Sequence, residues 1–206
     1  NYRQALEDYV LLTGRANLPT RNSFGLLFSR WPAYDETEAK EIIARFDRHG
    51  YPLSTIVLDM EWHKEGWGNW DWNEALYADP KAFFAWCRDR GIEVTLNDHP
   101  LDVRSDDSHF EKYLLEAGSG DRVRDIKYHK KTLPAVDVNI CDKKEAQAFS
   151  RVCHQHIVDA GLAYWWNDGC RGELAGAFNQ LVANKFFFEE VESRKQRGML
   201  LARYGG

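Results

Sequence analysis

The sequence predicts an α/β fold of the (β/α)8 TIM-barrel kind, incomplete, and three observations carry that prediction. Short apolar runs alternate with amphipathic helical stretches. Charged residues stand immediately after several of those runs. The chain, at 206 residues, is shorter than the about 250 that a whole barrel takes. Parallel strands need long crossovers, so the alternation implies a parallel sheet covered by helices. Doubly wound sheets share it, but charges at the carboxyl ends of successive strands favour the barrel, whose sites gather on that rim.

The elements follow in order. Ser23–Ser29 is β-rich and leads to a helix over Asp35–His49, where Ala39, Ile42, Ile43 and Phe46 fall at helical spacing before Gly50 stops it. Thr55-Ile56-Val57-Leu58 is a strand. A Trp-rich loop follows, then a helix that opens at Asp79-Pro80, an N-cap with proline in the first turn, and closes at Gly91. Ile92–Asn97 is the third strand. Residues 102–134 are rich in Asp, Arg and Lys and read as a polar insertion between the third and fourth strands, too charged for a core. Ala135–Ile140 is a short extended run before a helix from Asp142 to Gly161, with Asp142 and Glu145 at the spacing of a capping box. Leu162–Asn167 is the fourth strand, Glu173–Arg197 a long helical stretch and Met199–Arg203 the fifth strand. The count reaches about the first five βα units, and the remainder of the polypeptide is needed to close the cylinder.

Composition narrows the function. With 44% apolar and 29% charged residues the chain has the balance of an ordinary globular protein. No apolar run approaches the roughly 18 residues that span a bilayer, and Asn1-Tyr2-Arg3-Gln4 does not begin a charged-then-apolar leader. A net charge of −5 without a sustained basic cluster argues against nucleic acid as partner. The 4 cysteines form no C-x-x-C pair and read as free thiols. Phosphate-loop, dinucleotide and serine-hydrolase motifs are missing, so nucleotide cofactors and serine hydrolases lose their usual signs. Cys153-His154-Gln155-His156 is a poor metal set, because helical geometry turns such neighbours onto different faces; no metal is expected, and a surface or internally satisfied helix is the reading.

The candidates for chemistry stand at strand ends. The 8 Trp are the unusual number, several beside acids, and flat rings next to carboxylates suit a sugar. In Trp165-Trp166-Asn167-Asp168-Gly169, Asp168 serves as nucleophile, base or sugar-hydroxyl acceptor, or merely caps the next helix. In Asp59-Met60-Glu61-Trp62 an extended backbone puts both acids on one face, where paired oxygens accept from vicinal hydroxyls. Arg203 keeps a nearby carboxylate ionised or pairs with any rim acid. His63 and His99 lie on rim loops, to touch substrate or to pack.

Taken together these runs resemble glycoside hydrolase family 31. The resemblance is carried by Leu12-Thr13-Gly14-Arg15, Leu18-Pro19, Phe24-Gly25, Ser29-Arg30-Trp31, Pro52-Leu53, Val57-Leu58-Asp59-Met60-Glu61-Trp62, Asp79-Pro80, Gly91-Ile92, Asn97-Asp98-His99-Pro100, Trp165-Trp166-Asn167-Asp168 and Arg203, in the family's order. It implies that residues 1–206 are the N-terminal part of a catalytic barrel of retaining α-glycosidase type, acting on an α-glycoside or oligosaccharide. By the same resemblance Asp168 is the nucleophile, Trp166 walls the sugar subsite, Asp59 binds sugar hydroxyls with Glu61 beside it, Arg203 contacts substrate, and His99 stands near a site position. The resemblance implies no metal or organic cofactor, and the family's general acid would lie on a sixth strand, past Gly206. Gly169-Cys170-Arg171 departs from the Met-Asn-Glu that follows the nucleophile in many members, so the sugar is not carried over. The alternative is a carbohydrate-binding relative without catalysis; a metal-dependent barrel hydrolase would need clustered His at strand ends, where only His99 qualifies.

Overall fold

A computed structural model describes residues 1–169, 179–192 and 197–203. In chain order the elements begin with α1 (Tyr2–Thr13), β1 (Leu26–Phe28), α2 (Glu36–Arg48), β2 (Leu53–Leu58), α3 (Pro80–Arg88) and β3 (Glu93–Asp98). Next come β4 (Asp102–Arg104), α4 (Phe110–Ala117), β5 (Arg124–Tyr128), β6 (Lys131–Asp137), α5 (Lys143–Phe149) and α6 (Gln155–Ala160). β7 (Tyr164–Asn167), α7 (Asn179–Glu192) and β8 (Leu200–Ala202) complete the described chain.

The main sheet has 5 strands in the order β1-β2-β3-β7-β8, and each neighbouring pair is parallel. Doubly wound sheets reverse their order at a switch point. Here every new strand joins the same edge, as in a barrel, and the sheet is a half-barrel of the expected kind. Strand alternation separates its faces. Ile56, Leu58, Val94, Leu96 and Trp165 join the buried cluster under the helices. Thr55, Thr95 and Tyr164 take the concave side, where the Tyr164 hydroxyl donates to Thr55 Oγ1 at 3.2 Å across the intervening β3.

Local chemistry explains the helices. Asp35 accepts from Glu38 N–H at 2.9 Å, Asp79 from Ala82 N–H at 2.9 Å ahead of Pro80, and Asp142 from Glu145 N–H at 3.0 Å. These caps satisfy amide groups the helix itself leaves bare. The Asp142 box is only half formed, because the Glu145 carboxylate turns to Asn139 N–H and Arg122 instead of back to Asp142. On α7, Ala183, Phe187 and Val191 recur every fourth residue and are all buried.

Three readings change. The helix expected from Asp142 to Gly161 is interrupted by a π turn at Ser150–His154. Residues 102–134 are not a coreless excursion: β4, β5 and β6 form an antiparallel sheet of 3 strands, ordered β4-β6-β5, which continues through Asp137 into the run expected at Ala135–Ile140. Arg124, Asp125, Lys127 and Lys131 are exposed, whereas Arg104 is buried, and Val103 and Val136 of the sheet enter the core with Phe110, Tyr113 and Ala117 of α4. α1 was not anticipated; capped by Asn1 and ended by Gly14, it buries none of its side chains. Within the expected Glu173–Arg197 helix, only Asn179–Glu192 and Arg197 are described. Cys87, Cys141 and Cys153 are free thiols, whereas Cys170 and Arg171 lie outside the described residues. No helix among the described residues is long and apolar enough to cross a membrane.

Candidate active site

The carboxyl ends of β2, β3, β7 and β8 bring Asp59, Asn97, His99, Asp168 and Arg203 to one rim. Two backbone rungs continue the sheet past its strands: Asp168 N–H donates to Asp98 O at 3.0 Å and Arg203 N–H to Asn167 O at 3.1 Å. The residue after each strand is thereby held as firmly as the strand.

Asp168 is buried and sits at the centre of this set. Arg203 Nε lies 2.5 Å from one carboxylate oxygen. The other oxygen accepts from Asn97 Nδ2 at 3.2 Å and faces His99 Nε2 at 3.2 Å. Asn97 Nδ2 also donates to Asp59 Oδ1 at 2.6 Å, so one amide separates two acids. Partial burial, with help from the Asp168 charge, pushes the Asp59 carboxyl above its usual pKa, against the opposing hydrogen bonds from Met60 N–H and Asn97. Such a set can orient one carboxylate beside a guanidinium and leave the second with lone pairs to accept from hydroxyls.

Asp59, Asp168, His99 and Arg203 are thus brought together on one rim. Trp166 is half-buried on β7, paired in register with Asn97 on one side and Leu201 on the other. Glu61 departs from expectation. The backbone after Asp59 winds into a single 3-10 turn, Met60–Trp62, so the two acids do not share an extended face. Glu61 is exposed and meets Asp59 only as a co-lining residue of a small groove that also includes Trp31 and Trp62. The aromatic reading narrows too. Trp62, Trp70 and Trp165 are fully buried core rings, and Trp62 spends its N–H on Asn97 O at 2.7 Å.

Two contributors escaped the sequence reading. Asn97 is the last inward residue of β3; counting back two positions from His99 along an alternating strand finds it. Trp67, in the loop after β2, packs on His99 with ring centroids 4.2 Å apart. That loop is stitched to the small sheet by buried Arg104, which donates to Trp67 O at 2.6 Å and Glu65 O at 2.9 Å while pairing with Asp106. Gly68 has φ +80°, and a Cβ there would come within 2.1 Å of Asp102 Oδ1, so glycine is required where the two segments meet.

Away from the rim, Asp71, Asp107 and His109 bring donor atoms within 4.8 Å of one another. Each is already engaged: Asp107 accepts from His109 Nδ1 at 2.8 Å and from Trp70 N–H, and Asp71 from Ser108 N–H at 3.0 Å. Their geometry is explained without an ion.

The sequence profile of the "Glycosyl hydrolases family 31 TIM-barrel domain" matches residues 16–204. The chain belongs to glycosyl hydrolase family 31. This family 31 chain is 26% identical over 114 residues to an alpha-glucosidase of Saccharolobus solfataricus, a stretch that covers 55% of the chain and 16% of that protein. It is 36% identical over 75 residues to human neutral alpha-glucosidase AB, covering 36% and 8% respectively. Among solved structures, a family 31 dextranase of Flavobacterium johnsoniae complexed with glucose matches with a TM-score of 0.76 at 18% identity, over 98% of this chain and 28% of that one. An alpha-xylosidase from a soil metagenome complexed with xylose gives 0.71 at 17% identity, over 92% and 31%. The family 31 chain therefore spans a small part of each relative's length, and the structural matches speak to its fold.

Proposed function

We propose that this chain is the first part of the catalytic barrel of a retaining α-glycosidase, with Asp168 as nucleophile. The single observation that supports this most is the setting of Asp168: a buried carboxylate at a strand end, clasped by Arg203, Asn97 and His99. Arg203 pairs with one carboxylate oxygen, and Asn97 donates to the other and orients it without bringing a charge. Attack on the anomeric carbon would form a covalent glycosyl intermediate as the leaving oxygen takes a proton from a second carboxylic acid. That acid then activates water to release the sugar. In this reading the second acid comes from barrel strands beyond these residues. Asp59 accepts hydroxyls of the terminal sugar, Glu61 lies at the mouth of the same groove, and Trp166 supplies an apolar ring face. Relatives named as alpha-glucosidase, alpha-xylosidase and dextranase support a terminal α-linked sugar as the substrate class.

The test is mechanism-based labelling of the polypeptide that carries a complete barrel, using a fluorinated α-glycoside that stalls the covalent intermediate. A label mapped to Asp168 is the expected result; a label on another residue refutes the assignment. Sugar binding that survives Asp168→Asn without turnover in the wild type would favour a carbohydrate-binding relative instead.

A further inference from the structure

Behind the rim, on the helix-covered side of the sheet, lies a second charged cluster that the sugar chemistry does not use. Val152, Cys153 and His154 are buried one after another, which regular helical periodicity would not allow. The π turn does allow it, because the wider turn shifts the residues that follow onto a new face. It delivers His154, with no solvent exposure, between Asp98 Oδ2 at 3.2 Å and Glu190 Oε2 at 3.0 Å. Glu190 in turn accepts from Trp165 Nε1 at 2.8 Å and from the Ser150 hydroxyl. Trp165 and Phe149 close over the imidazole with centroids 4.3 and 4.4 Å away.

Burying such a set is costly in desolvation, and apolar side chains would fill the same space. Its position shows what it does instead. Asp98 stands between Asn97 and His99, which turn to the opposite face and reach Asp168; the Asp98 carbonyl receives the Asp168 N–H. Through Glu190 the cluster also holds Trp165, on the strand that ends at Asp168. Both strands that frame the carboxylate are tied to one imidazole.

We propose that His154 is a positioning residue for the chemistry at Asp168: clasped by Asp98 and Glu190, it fixes the ends of β3 and β7 so that Asn97 and His99 meet the carboxylate. The proposal rests on the reading of Asp168 as nucleophile. Full burial alone would lower the imidazole's pKa, but the carboxylates of Glu190 and Asp98 outweigh it and hold it up at about 9. His154 is therefore an imidazolium at neutral pH, with Nδ1 hydrogen-bonded to Glu190 and Nε2 meeting Asp98 as an ion pair. His63 and His156, which also act on it, are neutral there, lowered by burial to about 3 and about 4.

The experiment compares the rate of Asp168 labelling by the fluorinated glycoside in the complete-barrel protein, wild type against two variants, per folded molecule. An Asn amide nitrogen falls near the position of Nδ1 and a Gln amide nitrogen near that of Nε2. His154→Asn therefore keeps the donor toward Glu190 and loses the one toward Asp98, whereas His154→Gln does the reverse. Expected is labelling slowed about 10- to 100-fold in His154→Asn, at unchanged affinity for the reagent, with several-fold recovery in His154→Gln. Wild-type rates in both variants, or no recovery in the Gln variant, overturn the proposal. If neither variant folds, Glu190→Gln is measured the same way: slower labelling supports the proposal and an unchanged rate overturns it. A wild type left unlabelled at Asp168 removes the nucleophile reading and this proposal with it, and that failure shows before any variant is made.

Discussion

Asn97 holds two acids apart with one amide, at 2.6 Å from Asp59 and 3.2 Å from Asp168. Asn97→Ala is expected to lower kcat about 100-fold in the complete-barrel protein, since the orienting donor is lost. A KM change without a kcat change would place its role in binding alone. Asp59 carries its own signature. Its pKa is raised by burial and by Asp168, so as pH falls toward that raised value it loses the charge that, on the proposed reading, accepts hydroxyls. KM is expected to climb at acid pH above the usual carboxylate range, and Asp59→Asn should abolish that climb while raising KM throughout. At this scale the sequence marked Asp168, Asp59 and Arg203 because each immediately follows a readable apolar run, and His99 one residue further on. It misplaced Glu61, since a one-turn 3-10 helix breaks the alternation on which the shared face was argued. Asn97 stayed hidden inside a strand, where a polar residue leaves no mark of its own.

The elements show the same division between local and tertiary signals. The positions of β2, β3, β7 and β8 were legible to within a residue or two because apolar runs and caps such as Asp35, Asp79 and Asp142 are local, whereas Ser23–Ser29 overran β1, Ala135–Ile140 fell short of β6, and β4 and β5 were hidden in a polar stretch. The π turn at Ser150–His154 was not, because it answers to carboxylates on β3 and α7 rather than to its own helix. That cluster links stability to pH. His154 has its pKa raised from 6.5 to about 9 in the folded state, so its contribution is fully present below 6.5 and is lost as pH rises through about 9. The contribution is on the order of 3 kcal/mol. Denaturant melts from pH 6 to pH 10 should show this fall in the wild type and a much smaller one in His154→Gln. Arg104, buried between the small sheet and the loop of Trp67, is a second tie of this kind. Arg104→Met strands the Asp106 carboxylate and two carbonyl groups, and is expected to cost about 3 kcal/mol, read as a lowered Tm.

For the whole molecule, β1 and β8 each have a sheet partner on one side only among the described residues. Beside β1, Phe28, Ile42, Phe46 and Tyr51 line an open groove of about 340 Å³. Unpaired edges and bare apolar surface promote association. The separate 206-residue chain is expected to sediment as more than a monomer, and a monomer with a cooperative melt well above room temperature would contradict this. The order of the strands was legible from the chain; the curvature of the sheet and the stitching of its loops depend on pairings distant in sequence. On the proposed reading of Asp168 as nucleophile, the rungs from Asp168 to Asp98 and from Arg203 to Asn167 have a bearing on how such a catalyst would diversify. A carboxylate whose own amide is woven into the sheet cannot drift without unravelling two strands. New sugar preferences must then be acquired by editing the crossovers around a stationary centre, and grafting the segment of Trp67 together with its small-sheet anchor from one homologue to another should transplant selectivity while the attacking group stays where it is.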